Sequence, residues 1–353
     1  MIHGSSWPRD RLKIARHSQA GLTPPFYVTV IMQSSSQLFP VALVRAELYG
    51  DLTEDVYLLK PNNSSDLSVE LSLTRLGRLN RQAPYRPPVI LVHGAFGNRF
   101  TWYSASGTGL GVELVDAGFD VWIAEMRGHG CSPRNLEYVS NQLSDYARYD
   151  LPAIAAFVEE QSGLPGHWIG HGQGGLAVIL GVLNEWMTER SVKSLGLLGV
   201  ATSDRLWGLL SWREKMRSTI SGHGVGVGPE DEPKVLLKAL QDERALGSSR
   251  SERDRLLTRL SSLSIPVLGL AAANDPLVSA EACRMLFDRF GGQYKDFISL
   301  GQLLSRENGM SHASPFMARE AHRHFGGLIS EWLTSIEKAS QKQDVAPSIE
   351  LTE

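Results

Sequence analysis

One stretch constrains this chain more than any other: His167-Trp168-Ile169-Gly170-His171-Gly172-Gln173-Gly174-Gly175. A short apolar strand runs into a sharp turn, and a helix starts at a glycine pair and continues through the apolar run Leu176 to Leu183. A turn of this layout that reads Gly-x-Ser-x-Gly holds the serine hydroxyl up at its apex. Here the flanking glycines, Gly170 and Gly174, are in place, but the apex is Gly172, which has no side chain. The turn is kept and the reactive atom is absent.

The chain around the turn reads as alternating strands and helices. Val89-Ile90-Leu91-Val92 is apolar at every position, the habit of a strand buried on both faces of a parallel sheet. It leads into His93-Gly94-Ala95-Phe96-Gly97-Asn98. A helix is expected over Leu110 to Ala117, a strand over Phe119 to Ala124, a helix over Asp145 to Gln161, then the turn strand and its helix, then a strand over Leu195 to Val200. Later strands are expected over Ile265 to Leu270 and Asp296 to Leu300, with helices over Ala280 to Phe290 and Pro315 to Ile336. Right-handed crossovers make this order a doubly wound, mostly parallel α/β sheet. Val41 to Leu48, Val56 to Leu59 and the alternating Leu67 to Leu73 read as antiparallel opening strands.

These patterns divide the chain. Residues 1–31 have broken periodicity and are expected to be a poorly structured extension, folding beginning at Met32. Residues 32–202 and 263–336 form the two parts of the core. Residues 203–262 interrupt the alternation and read either as a surface helical pair or as a small helical cap lining an apolar pocket, the aromatic content near Trp207 and Trp212 favouring the cap. Residues 337–353 are polar and expected to fray.

Composition excludes some classes. A formal net charge of -3 offers no basic excess to neutralise phosphates, which argues against a nucleic-acid partner. The apolar run Leu176 to Leu183 is far too short to span a bilayer, and the N-terminus lacks the apolar stretch of a secretory signal. Cys131 and Cys283 have no metal-ligand spacing and read as small buried residues. A cytoplasmic location is expected. No metal is implied, and the glycine-rich segments do not form a dinucleotide fingerprint, so no cofactor is expected.

With the His-Gly loop at 93–94, the Arg-Gly-x-Gly-x-Ser turn at 127–132, the turn at Gly172, Asp275 and a late His312, in that order, the sequence resembles the α/β-hydrolase superfamily over roughly residues 87 to 335. Asp116-Ala117-Gly118-Phe119-Asp120-Val121-Trp122 and Tyr149-Asp150-Leu151-Pro152-Ala153 resemble its acid-lipase and esterase branch. The resemblance implies roles position by position. Ala95 and Gln173 match the two backbone donors of an oxyanion hole, with Phe96 next in the binding loop. Asp275 matches the acid, His312 the general base, and Gly172 the nucleophile position. Arg127 to Ser132 is expected to shape the oxyanion loop, and His171 to pack strand against helix. Ser104, Ser106 and Ser311 are the candidate substitute hydroxyls.

The missing hydroxyl leaves three readings open. The chain is a carboxylic ester hydrolase, of esterase or lipase type, that uses water or another residue. Or it is a catalytically silent binder of acyl or aromatic small molecules. Or the glycine is a substitution in a serine esterase or lipase. Deleting the serine of comparable triads leaves on the order of 10³–10⁴-fold catalysis over water, so water attack is physically open but slow.

Overall fold

The computed structural model describes residues 36–79, 84–241, 246–247, 249–273, 275–300 and 319–344. Residues 1–31, expected as an extension, and His312 and Ser311 lie outside them.

Among the described residues one nine-stranded sheet carries the fold, in the order β1-β2-β3-β5-β4-β6-β7-β10-β11. Strands β1 (Val41–Tyr49), β2 (Leu52–Leu59) and β3 (Leu71–Arg78) pair antiparallel, and β3 pairs antiparallel with β5 (Asp120–Glu125). From there β4 (Pro88–Val92), β6 (Gly166–His171), β7 (Val192–Leu198), β10 (Val267–Ala272) and β11 (Lys295–Leu300) are all parallel. The third opening strand starts later than the alternation from Leu67 suggested, because residues 67–68 form a turn gathered by Asp66, whose Oδ1 accepts the Ser68 N–H at 2.9 Å.

Both faces of the parallel part are covered, which is why β4, β5, β6 and β10 are buried at every position. Helices α1 (Leu110–Asp116) and α7 (Arg319–Asp344) cover one face, where Leu110, Leu114, Ile329 and Leu333 join Leu91, Ile123 and Ile169. Helices α2 (Leu151–Ser162) and α3 (Gln173–Leu183) cover the other, with Ile154, Phe157, Leu176 and Ile179 against Ile90, Trp122 and Trp168. Adjacent Trp168 and Ile169 serve opposite faces, as period two requires. Every residue of α3 is buried, and each large aliphatic side chain there contributes about 1.5–3 kcal/mol.

The helix expected over Asp145 to Gln161 is opened by a π-helical turn at Tyr146–Asp150. Pro152 has no N–H to give the carbonyl four residues back, so the first turns are free to widen. The last helix does not end at Ile336 but runs to Asp344. Glu337, expected in a frayed tail, is docked instead: it accepts from His167 Nε2 at 3.0 Å and Lys193 Nζ at 2.6 Å.

Between β7 and β10 the chain leaves the sheet. The insertion holds the short helical turns Leu206–Leu209, Trp212–Lys215 and Gly222–Val225. It also holds a two-stranded ribbon of β8 (Thr219–Ser221) with β9 (Asp231–Pro233), and helices α4 (Lys234–Gln241) and α5 (Arg250–Leu260). Back in the core, helix α6 (Ala280–Phe287) lies between β10 and β11.

Candidate active site

The site is built on the C-terminal ends of β4, β6 and β10. At the end of β6 the chain reverses through one residue, Gly172, at φ 48° and ψ −120°, and α3 starts at Gln173. A positive φ is ordinary for glycine and strained for any residue with a Cβ. The Gly172 N–H donates to Leu198 O on β7 at 3.0 Å, and Gly172 O accepts from Leu176 N at 3.2 Å. The flanking glycines are demanded by contact: a Cβ on Gly170 would run into the backbone of Gly175, and one on Gly174 into His93 O. His171 is buried against the 93–94 loop, where a Cβ on Gly94 would come within 2.5 Å of its Nδ1. It packs strand against loop.

Beside the apex, β4 delivers the loop after His93. His93 Nε2 accepts from Met126 N at 3.1 Å, so Nδ1 carries the proton and donates to Gly94 O at 2.8 Å. Burial, aided by the charge on neighbouring His129, pushes its pKa down to about 3 and keeps the ring neutral. Gly94 to Gly97 form a turn closed by Gly97 N donating to Gly94 O at 3.1 Å. Ala95 and Phe96 are its central residues.

Ala95, Phe96, Gly172 and Gln173 line one cavity of about 40 Å³, with Leu176, Leu206, Val227, Leu240, Leu277 and Val278 completing an apolar wall. Neither the Ala95 nor the Gln173 backbone N–H is taken up by an acceptor among the described residues. The Phe96 N–H is committed: it donates to Glu232 Oε1 at 3.0 Å. Phe96 therefore lines the cavity with its own N–H already spent on Glu232. The insertion lines this cavity, but not with its tryptophans. Trp207 is half-buried, Trp212 is 72 % exposed, and the insertion supplies Leu206, Val227 and Leu240 instead. The insertion's part of the lining also includes the polar Ser203 and Asp204, while Arg213 lies over the Trp212 ring and Lys215 over the Trp207 ring.

Asp275 stands three residues beyond the end of β10. Its Oδ1 accepts the N–H groups of Leu277 at 2.8 Å and Val278 at 3.0 Å, both lining residues of the cavity. The Arg-Gly-x-Gly-x-Ser turn carries structure. Arg127 meets Asp150, on the π turn, through Nε at 2.9 Å and Nη2 at 2.5 Å, both side chains buried. Gly130 (φ 55°) makes room for the Glu125 carboxylate, which accepts Arg99 N and Cys131 N, each at 2.9 Å. Ser132 Oγ donates to Glu125 O at 2.7 Å. Cys283 is buried, whereas Cys131 is partly exposed and accepts from Arg45 and Arg99 at 3.2 Å. Ser104 and Ser106 hydrogen-bond one another at 2.8 Å and do not line the cavity.

Two residues that the sequence did not single out complete the site. His129 Nδ1 faces Arg127 O at 3.1 Å and Nε2 faces Glu232 Oε1 at 3.1 Å. Two acceptors require two ring protons, so His129 is an imidazolium. Burial opposes that charge, but the Glu232 carboxylate raises the pKa above the ordinary histidine value. Burial likewise opposes charge on Glu232, yet His129 and the Phe96 N–H hold it below the usual range. Glu232 lies in Pro229-Glu230-Asp231-Glu232-Pro233, whose prolines were its only signal. Among the described residues no group of three or more His, Cys, Asp or Glu side chains is placed to hold a metal ion. None of their helices is long and apolar enough to cross a membrane.

A mixed sheet with antiparallel opening strands, a sharp glycine-flanked turn after the central strand and a loop of backbone donors beside it define the α/β-hydrolase fold. Residues 87–219 match the family model described as alpha/beta hydrolase fold. In sequence the chain is homologous to acid lipases: it is 32% identical to human gastric triacylglycerol lipase over 137 residues, 36% of this chain and 32% of that one. It is 33% identical to mouse lipase member M over 138 residues, 36% of this chain and 31% of that one. The chain thus spans about a third of the length of the curated relatives it matches. Among solved structures, the monoacylglycerol lipase of Paleococcus ferrophilus superposes with a TM-score of 0.51 at 19% identity, over 76% of this chain and 99% of that one, a likeness of fold. The protein is esterase- and lipase-like.

Proposed function

We propose that this protein binds the acyl group of a small carboxylic ester above Gly172 and hydrolyses it only by direct attack of water, with no acyl-enzyme. The observation that carries the reading is the cavity in which the bare apex meets Ala95 and Gln173, two residues whose backbone N–H groups have no acceptor among the described residues. Such amides stabilise the oxyanion that develops when a carbonyl is attacked. In this reading His312 takes the proton of a water as its oxygen bonds to the acyl carbon, and Asp275 holds the imidazole in the accepting tautomer. The alkoxide then leaves with that proton, and acid and alcohol are released. The acid-lipase homology supports an acyl ester as ligand. A cavity of about 40 Å³ favours short acyl groups, since a single water takes roughly 10–15 Å³ on this measure.

The test is turnover of p-nitrophenyl acetate, butyrate and palmitate by the unmodified chain and by His312→Ala. The expected result is slow, burst-free hydrolysis of the short esters that His312→Ala abolishes. An initial burst of one equivalent, or a rate indifferent to His312→Ala, refutes it. The aliphatic part of the wall, from Leu176, Leu206, Val227, Leu240, Leu277 and Val278, also favours the second reading, silent binding of an acyl compound. Saturable calorimetric binding of butyrate esters without turnover would establish that instead.

A further inference from the structure

Glu232 belongs to the insertion, on β9, but every partner of its carboxylate among the described residues belongs to the core. Its Oε1 accepts from Phe96 N at 3.0 Å, from Gln173 Nε2 at 2.7 Å and from His129 Nε2 at 3.1 Å. The group is fully buried. Phe96 and Gln173 are each within one residue of, or identical with, a residue whose backbone N–H is offered to the cavity.

Phe96 is also in a conformation that it should not choose. It is the third residue of the Gly94–Gly97 turn and has φ 58°. That turn position at positive φ belongs to glycine or asparagine. A large side chain persists there only where the surroundings over-determine it. The insertion does this from both sides of the residue. Glu232 takes the Phe96 N–H, and Glu230 N donates to Phe96 O at 3.1 Å. Gly222 and Gly228 wrap the ring and backbone so closely that a Cβ on Gly222 would lie 2.7 Å from Phe96 Cδ1 and one on Gly228 2.8 Å from Phe96 Cβ. Fixing the Ala95–Phe96 peptide plane limits the rotation of Ala95, and with it the direction of the Ala95 N–H.

We propose that Glu232 is a positioning residue for both backbone donors of the site: from the insertion it holds Phe96 in its left-handed turn and Gln173 at the elbow, so that the Ala95 and Gln173 N–H groups converge above Gly172. This role rests on the oxyanion reading of those two amides. His129 supplies the positive charge that keeps the buried carboxylate ionised. The insertion is thus part of the oxyanion machinery as well as a wall of the cavity.

Two measurements test this. In the Gly172→Ser chain, Glu232→Ala is expected to lower kcat about 10–100-fold with KM changed less than about threefold, since a lost or misaimed donor costs the transition state rather than the ground state. Arg134→Ala breaks the 2.6 Å ion pair to neighbouring Asp231 without touching Phe96, and should leave kcat within about twofold. Equal losses in the two variants, or an unchanged kcat in Glu232→Ala, overturn the proposal. The second measurement needs no activity: crystal structures of the Gly172 chain carrying Glu232→Ala and Glu232→Gln. In Glu232→Ala, Phe96 is expected to leave positive φ. In Glu232→Gln, the carboxamide oxygen should keep the Phe96 N–H and the turn, which decides the matter if the alanine variant does not fold. A turn that keeps its shape without an acceptor at position 232 overturns the proposal. An inert Gly172→Ser chain sinks the hydrolase reading alone, and the crystal structures still decide this one.

Discussion

Gly172→Ser tests the geometry of the site and the strain at its apex together. Gly172 sits at φ 48° and ψ −120°. A residue with a Cβ held there costs about 1–3 kcal/mol. Unfolding entropy near 2.1 cal/mol/K per residue gives a 353-residue chain about 0.7 kcal/mol/K, so the strain lowers Tm by about 1–4 °C. The new hydroxyl would stand beside the Ala95 and Gln173 amides, and triads that lose their serine lose about 10⁶-fold in kcat and retain only about 10³–10⁴-fold catalysis over water. The expected outcome is a slightly less stable protein that hydrolyses p-nitrophenyl butyrate at least about 10²-fold faster. It should show a burst of one equivalent and be inactivated by an alkyl phosphonate. Scanning calorimetry and stopped-flow absorbance read the two halves. A Ser variant that melts within that range but shows neither burst nor inactivation would refute the hydrolase reading of the site, with His312 as its base. A Tm that rises would refute the strain argument.

Asp150→Ala should cost about 3–5 kcal/mol in chemical denaturation, because it strands the buried Arg127 guanidinium. Arg127→Met with Asp150→Leu should lose less than the single variant, and an additive or larger loss would contradict this account. Gly170→Ala should destabilise by about 3 kcal/mol or more, since the added methyl meets the backbone of Gly175 rather than a side chain that can turn aside; wild-type Tm would refute it. The His129–Glu232 pair sets a pH window. The raised His129 pKa stabilises fully below about 6.5 and is lost as pH rises through its folded value. The lowered Glu232 pKa stabilises fully above about 4.3 and is lost as pH falls through its folded value. Buried neutral His93, with its pKa near 3, loses its contribution as pH falls below about 6.5, so acid confounds the comparison and alkali isolates the pair. The Tm difference between the unmodified chain and Glu232→Gln should therefore shrink from pH 6 to pH 9, and a constant difference excludes the charged pair.

Much of the fold was legible because its signals are local. Val89 to Val92 is apolar at every position, and a strand covered on both faces must be. Gly170, Gly174 and Gly175 marked a turn in which strand and helix touch, and the contacts a Cβ would make there show why nothing larger fits. The π turn before Leu151 and the docked end of α7 were not legible. The first depends on how Pro152 and the Arg127–Asp150 pair share one helix start, the second on Lys193 and His167 waiting on the sheet for Glu337. Which side chains of the insertion face the cavity was not legible either, because Leu206, Val227 and Leu240 look in sequence like any other aliphatic residue and Trp207 and Trp212 read the same whether their rings face in or out.

The sequence by itself determined the alternation of strands and helices, the bare apex at Gly172 and the neighbouring residues that bring backbone amides to it, since period, glycine and order along the chain are one-dimensional properties. Only the tertiary structure decided that Phe96 is strained, that its N–H is spent on Glu232, and that His129 is charged. Those facts arise where residues 96, 129, 173 and 232, far apart in the chain, meet out of reach of water, and burial there turns an ordinary glutamate into the partner that two loops share.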